Sequence, residues 1–515
     1  MDSRKIFVAI LILIVETIYG ISAYADVSIP RIIGENMVLQ RDMEIPVWGL
    51  AEPGEKVIVK MNGCNKEAEA DPNGRWMVKL PAMGAGGPYE MTINGKNSIS
   101  LKNIMVGEVW VCSGQSNMEL PVGDAKDSAK EVSAANYPAI RFFKIPRKTS
   151  GRPLSDVNAV WCECNPETAR EFSAVGYFFG RSIHKELSVS VGLIDSSWGG
   201  SRIEPWTSPE GFKMVEKTAD IAKRIENTNS DYRKSVSASL RSIEQWLPKV
   251  KKAIAGNSQL PADPDFPKHQ LDGFWEPTGI YNAMIAPIVP FAIRGVIWYQ
   301  GEANLGEGML YYERMKVLIG GWRKVWAEGD FPFYYVQLAP YRYTDDTYYR
   351  SGGDPYKLPA IWEAQTKAMS IPNTGMAVTV DITDNVSDIH PTNKQDVGKR
   401  LSLWALAKTY GKKEIVYSGP MYKEMKKEDG KIRVYFDYIG GGLATGDGKE
   451  PKDFEIAGAD KKYEKAKAVI DKDTVIVWSE EIKEPAAVRF AWHQEARPNL
   501  CNKEGLPACP FRTEN

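Results

Sequence analysis

The chain has 515 residues, 43% hydrophobic and 25% charged, with a formal net charge of -1. These proportions suit a globular protein of roughly two to four domains and exclude a disordered or low-complexity chain. Balanced charge removes any electrostatic case for nucleic acid or an anionic membrane surface as partner.

Residues 1–25 read as a secretory signal peptide. Arg4 and Lys5 open it, an apolar run over 6–15 ends at Glu16, and Ala23-Tyr24-Ala25 is a cleavage pattern. That run is too short to span a bilayer, which takes about 20 residues. The mature protein is therefore expected to be secreted or periplasmic, with no membrane span after cleavage. Export permits disulfides among the six cysteines. Cys501 and Cys509 flank a short loop and could pair, whereas Cys112 reads as a buried thiol. No CxxC pair and no HExxH occurs, so no zinc site and no cofactor are expected.

Residues 26–104 read as an N-terminal β-sandwich-like domain. Short apolar runs at 45–48 and 57–59 alternate with turns such as Glu52-Pro53-Gly54 and Asp71-Pro72-Asn73-Gly74. The pattern changes over residues 105–410. Strand-like runs at 109–112, 191–194, 295–298, 333–336 and 376–380 are interleaved with helical stretches near 167–187, 311–327, 360–370 and 393–410. That alternation predicts an α/β fold, a parallel sheet with helices on both faces. An insertion at about 205–275 interrupts it, with a charged helix over 212–254 and a Pro/Asp-rich stretch over 259–274. It is either a lid beside the site entrance or a surface elaboration. Residues 411–515 read as a C-terminal β domain, with strands near 431–436 and 473–478.

Chemistry-bearing residues fall at the predicted carboxyl ends of strands, where open α/β sheets hold ligands. Ser116 follows the 109–112 strand in Gly114-Gln115-Ser116-Asn117-Met118 and is the candidate nucleophile. A serine hydroxyl needs a base, and only four histidines are present. His184 lies in a predicted helix, His269 in the insertion and His493 in the C-terminal β region. His390, in Asp388-Ile389-His390-Pro391, lies on a loop of the α/β region with carboxylates near it. Asp388, Asp384 and Asp381 are candidates to orient the imidazole, with Asp388 favoured; a backbone carbonyl is the alternative. Gln115, Gln300 and Glu302 lie on the same loops, either as contacts to substrate hydroxyls or as internal hydrogen bonds. Arg202 could meet a sugar carboxylate or pair with an adjacent acid.

The Gly114–Met118 block, Trp198-Gly199-Gly200, Trp298-Tyr299-Gln300-Gly301-Glu302-Ala303-Asn304 and the Asp388–Pro391 block, in this order, resemble the sialate O-acetylesterase family of SGNH/GDSL-like carbohydrate acetylesterases. The resemblance runs over nearly the whole mature chain, from Pro30-Arg31-Ile32 to Pro510-Phe511-Arg512. It implies an SGNH-hydrolase-like sheet flanked by N- and C-terminal β domains. It implies a serine esterase that removes acetyl groups from O-acetylated carbohydrate through an acyl-enzyme, sialate first and acetylated xylan or pectic sugars as alternatives. It also implies an oxyanion hole from the Ser116 N–H, a glycine N–H of Gly200 or Gly199, and the Asn304 side chain. Many SGNH enzymes carry Asp three residues before the histidine; here that position is Ser387, and Asp388 stands two before. A non-catalytic carbohydrate-binding protein is the reading from a different class, and Ser116, His390 and Asn304 together argue against it. A lipase-like enzyme is disfavoured because no G-x-S-x-G elbow surrounds Ser116.

Overall fold

The structure, a computed structural model, describes residues 26–346 and 352–514; the signal-peptide reading lies outside the described residues. Its central sheet is built on one long strand, β1 (Ser98–Gly114). The first half of β1 mixes buried and exposed side chains, but from Val106 to Gly114 every residue is buried. That change marks the passage from a one-sided sheet into a strand covered on both faces.

The other strands are β2 (Tyr137–Lys144), β3 (Trp161–Cys164), β4 (Ser190–Ser197), β5 (Gly295–Tyr299), β6 (Phe333–Val336) and β7 (Thr374–Ala377). Across the sheet they run β7-β6-β5-β1-β4-β2-β3. All neighbours are parallel except β3, which is antiparallel to β2. From β1 the chain builds one side, then crosses back to build β5, β6 and β7 on the other. The winding reverses at β1, so the crevice of an open α/β sheet falls at its carboxyl end.

The helices that matter for the site are α1 (Ser116–Glu119), α2 (Ala174–Leu187), α3 (Ala219–Ala255), α4 (Leu310–Trp326), α5 (Lys357–Ala368) and α6 (Lys394–Trp404). The last three start within three residues of their expected positions. The helix expected over 167–187 is instead two, Pro166–Arg170 and α2. Ser173 causes the break. Its hydroxyl caps α2 by accepting from Gly176 N at 3.1 Å and donates to Met118 O at 2.6 Å, which ties α2 to α1.

β1 also serves the N-terminal β region. Its first half pairs antiparallel with Gly86–Asn94, which pairs in turn with Lys56–Met61. Position 104/105, the boundary read from the sequence, falls inside this strand. The buried residues of both regions belong to one hydrophobic core. The first turns of α3, in the insertion, pack through Ala222 and Ile225 against Phe212, Leu271 and Val317. None of its residues between Ile225 and Trp246 is buried.

After α6 come two four-stranded sheets. One runs Met421–Glu428, Lys431–Asp437, Thr474–Trp478, Lys467–Asp471, and the other Tyr463–Lys465, Phe454–Ala457, Ala487–Phe490, Phe511–Arg512. They enclose a second core around Ile432, Val434, Val475, Val488 and Phe490. All six cysteines are free, so the Cys501–Cys509 pairing does not form. The Cys509 thiol is turned instead toward Thr366 Oγ1 (3.3 Å) and Gln337 Nε2 (3.4 Å). Among the described residues no helix is long and apolar enough to cross a membrane.

Candidate active site

β1 delivers Ser116 as the first residue of α1. Gly114 makes this possible. Its φ is 141°, and a Cβ there would stand 2.1 Å from Tyr299 O, so only glycine lets β1 approach β5 this closely. The Ser116 Oγ is 2.8 Å from His390 Nε2. A hydroxyl and an imidazole at that distance can act as nucleophile and general base. α1 is a single turn, so any oxyanion charge at Ser116 would rest on individual N–H groups rather than on a helix dipole.

His390 stands on the loop leading to α6. Asp388 Oδ1 accepts the backbone N–H of His390 at 2.8 Å. Among the described residues nothing hydrogen-bonds to His390 Nδ1, so the contact of Asp388 is with the main chain and not with the ring. Asp381 is occupied by Arg400, at 2.6 Å from each of two nitrogens, and Asp384 is exposed. Burial holds the His390 pKa below its ordinary value, the Lys394 charge lowers it further, and Asp388 opposes both. The imidazole is therefore neutral, and able to accept a proton, at neutral pH.

Sequence reasoning missed the residue that binds these loops together. Asn117, buried beside Ser116, donates through Nδ2 to Glu302 Oε1 (2.6 Å) and to Ile389 O (3.0 Å). Its Oδ1 accepts from Lys394 Nζ at 2.5 Å. Lys394 is fully buried, and desolvation brings its pKa down to about 7. Burial pushes the Glu302 carboxyl up, against hydrogen bonds that favour its charged form. The signals were present, since Asn117 adjoins the nucleophile and Lys394 follows the histidine by four residues. What the sequence hides is that the two meet.

The Trp198-Gly199-Gly200 loop packs against Ser116. A Cβ on Gly199 would lie 3.3 Å from the Ser116 Cβ. The Gly199 N–H is taken by Glu119 Oε2 at 2.7 Å, and Glu119 is itself paired with Arg147. Among the described residues the N–H groups of Ser116 and Gly200 have no acceptor. Asn304 is buried, with its Oδ1 accepting from Ile203 N (3.0 Å) and Gln300 Nε2 (2.8 Å) and its Nδ2 donating to Glu204 (3.1 Å). The Asn304 side chain also hydrogen-bonds Glu307.

Gln115, Gln300 and Glu302, read as either substrate contacts or internal hydrogen bonds, each make internal hydrogen bonds. Gln300 is fully buried; its amide N–H groups go to Ser201 O and Asn304, and its Oε1 accepts from Tyr311 OH at 2.8 Å. Gln115 Oε1 accepts from the Gly301 and Ala303 backbone N–H groups, and Glu302 holds Asn117. Their hydrogen bonds join the loops to one another. Arg202 is ion-paired with Glu204 (2.9 Å) and with Glu307, and Arg314 braces the same two acids.

The chain is similar to known proteins. A family model described as a carbohydrate esterase, sialic acid-specific acetylesterase, matches residues 269–406. The chain is 31% identical over 446 residues to the sialate O-acetylesterase of Mus musculus, covering 78% of this chain and 77% of that one. It is 29% identical over 435 residues to the sialate O-acetylesterase of Homo sapiens, covering 76% and 73%. A solved structure of a carbohydrate acetylesterase from Xanthomonas citri superposes with a TM-score of 0.79 at 35% identity, covering 95% of this chain and all of that one.

Proposed function

Because the chain belongs to the sialate O-acetylesterase family of carboxylic ester hydrolases, we propose that it cleaves O-acetyl groups from sugars, sialate first, by a serine acyl-enzyme route. The observation that carries this reading is the 2.8 Å contact between Ser116 Oγ and His390 Nε2 at the carboxyl end of β1. The sheet order supports grouping the chain with SGNH-like hydrolases, with residues 105–410 carrying the chemistry and 26–104 and 411–515 flanking it. Export to a secreted or periplasmic location belongs to the same reading.

The Ser116 Oγ attacks the acetyl carbonyl carbon as its proton passes to His390 Nε2. The oxyanion formed is met by the free N–H groups of Ser116 and Gly200 and by the Asn304 side-chain amide, which turns to it from Glu307. On collapse, the sugar alkoxide leaves with the proton from His390. Water then loses a proton to His390, attacks the acetyl-enzyme, and acetate departs as the proton returns to Ser116. Asp388 acts by charge and by shaping the loop: its carboxylate favours the imidazolium, and its hydrogen bond fixes the backbone at His390.

Acetate release is to be followed on O-acetylated sialate, xylan and pectin fragments with wild type and Ser116→Ala. A loss of about 10⁴–10⁶-fold in the variant is expected, and the preferred substrate identifies the sugar. Equal release by the two proteins would overturn the mechanism.

A further inference from the structure

Arg202, the cation nearest the site in sequence, is already matched by Glu204 and Glu307. The loop that carries Asn304 leads to a second place with cations in its lining. Just beyond Asn304, Gly306 and Gly308 border a separate open cavity of about 470 Å³, a size typical of small-ligand sites. Gly306 is two residues from Asn304, so their Cα atoms are at most about 7 Å apart. Neither Ser116 nor His390 lines this cavity.

Its position follows from the topology. Gly306 and Gly308 lie on the loop after β5, and Tyr356 and Lys357 lie at the start of α5, after β6. Both loops leave the carboxyl end of the sheet, the end that carries Ser116. The opposite wall is C-terminal: Arg489 and Arg512 on adjacent strands, with Trp492 beside them. The two glycines have φ of 93° and 52° and leave that border without side chains.

The wall chemistry is selective. Arg512 donates through Nε and Nη2 to Glu363 at 3.0 and 2.8 Å and lies over the Trp492 ring at 5.2 Å. Arg489 is held the same way by Glu514, with Nε at 2.7 Å, and lies 3.8 Å over Tyr463. Among the described residues no hydrogen bond engages Nη1 of Arg512, whereas Arg489 also hydrogen-bonds Tyr463. The Arg512 guanidinium is thus held by Glu363 with a donor edge unused, the state that costs least to bind an anion. Among the described residues of the lining, Lys357 adds a third cation and Asp354 the one carboxylate. Tyr356, 45% exposed, offers an aromatic face to a sugar ring.

We propose that this cavity is a subsite for a carboxylate-bearing sugar ring, the neighbour of the ring whose acetyl group Ser116 removes. The enzyme would then select acetylated glycans by an acidic neighbour. This rests on the esterase reading above.

Matched acetylated disaccharides test it, one set with a sialate or glucuronate neighbour and one with a neutral neighbour. Wild type is expected to show a KM about tenfold lower for the acidic members, the weight of a charged hydrogen bond. The stronger acid identifies the class. Arg512→Met with Tyr356→Ala should erase that gap while turnover of 4-nitrophenyl acetate stays within about twofold of wild type. Asp354→Asn should widen the gap, an effect opposite in sign to damage. Asn can keep the turn that Asp354 Oδ1 makes with Tyr356 N. Equal KM values in wild type, or a gap left unmoved by Asp354→Asn, would overturn the subsite. Calorimetric titration of Ser116→Ala with deacetylated glucuronyl and sialyl disaccharides reads the subsite without catalysis. Failure of the esterase chemistry is therefore distinguishable from failure of the subsite.

Discussion

Asn117 carries more of the site than its place in a short motif suggests. One side chain touches the Glu302 loop, the carbonyl preceding His390, and Lys394. Asn117→Leu should cut kcat by about 100-fold, the scale of a small misplacement of reacting groups. KM should stay within about twofold, because Asn117 is buried away from substrate; a change confined to KM would refute this role. Lys394 gives a pH prediction. The His390 pKa is already depressed, so the neutral, active imidazole persists to lower pH than that of an ordinary histidine and is lost on further acidification. Lys394, brought down to about 7, is charged across that acid range and repels the imidazolium. Lys394→Met removes the repulsion, so the acid limb of kcat/KM should move to higher pH. An unmoved limb would mean that burial alone sets the His390 value.

At the scale of elements, the turn from β1 to α1 is the tightest constraint. Gly114→Ala places a methyl against Tyr299 O at a φ that disfavours side chains. It should destabilise by about 1–3 kcal/mol, read as a lowered denaturant midpoint, with a fall in kcat because Ser116 moves. The elements legible from sequence were those with clean periodicity: the buried run into β1, α4, α5 and α6. β2 and β3 were not, because Pro138 and the buried Arg141, paired with Glu163 at 2.7 Å, break the apolar pattern. The split before α2 was hidden for another reason. Ser173 reads as an ordinary helix position until Met118 O, 55 residues away, is known to lie beside it.

At the scale of the whole molecule, the nucleophile and its histidine could be read because each sits at the end of a predicted element and histidines are few. Their supports could not be read, since Asn117 to Lys394 and Gly199 to Glu119 are contacts between segments far apart in the chain. β1 has a consequence at this scale. Deleting residues 26–104 removes seven of its residues and both its antiparallel partner and much of the shared core. The shortened chain should be insoluble or non-cooperative in thermal unfolding, whereas two independent domains would leave a stable, active remainder. A strand held in common also bears on how such a protein can be recombined. The hydrolase sheet cannot be lifted out by a crossover at its apparent border and spliced behind another leader. The N-terminal β region must travel with it, as one inherited module rather than an accessory.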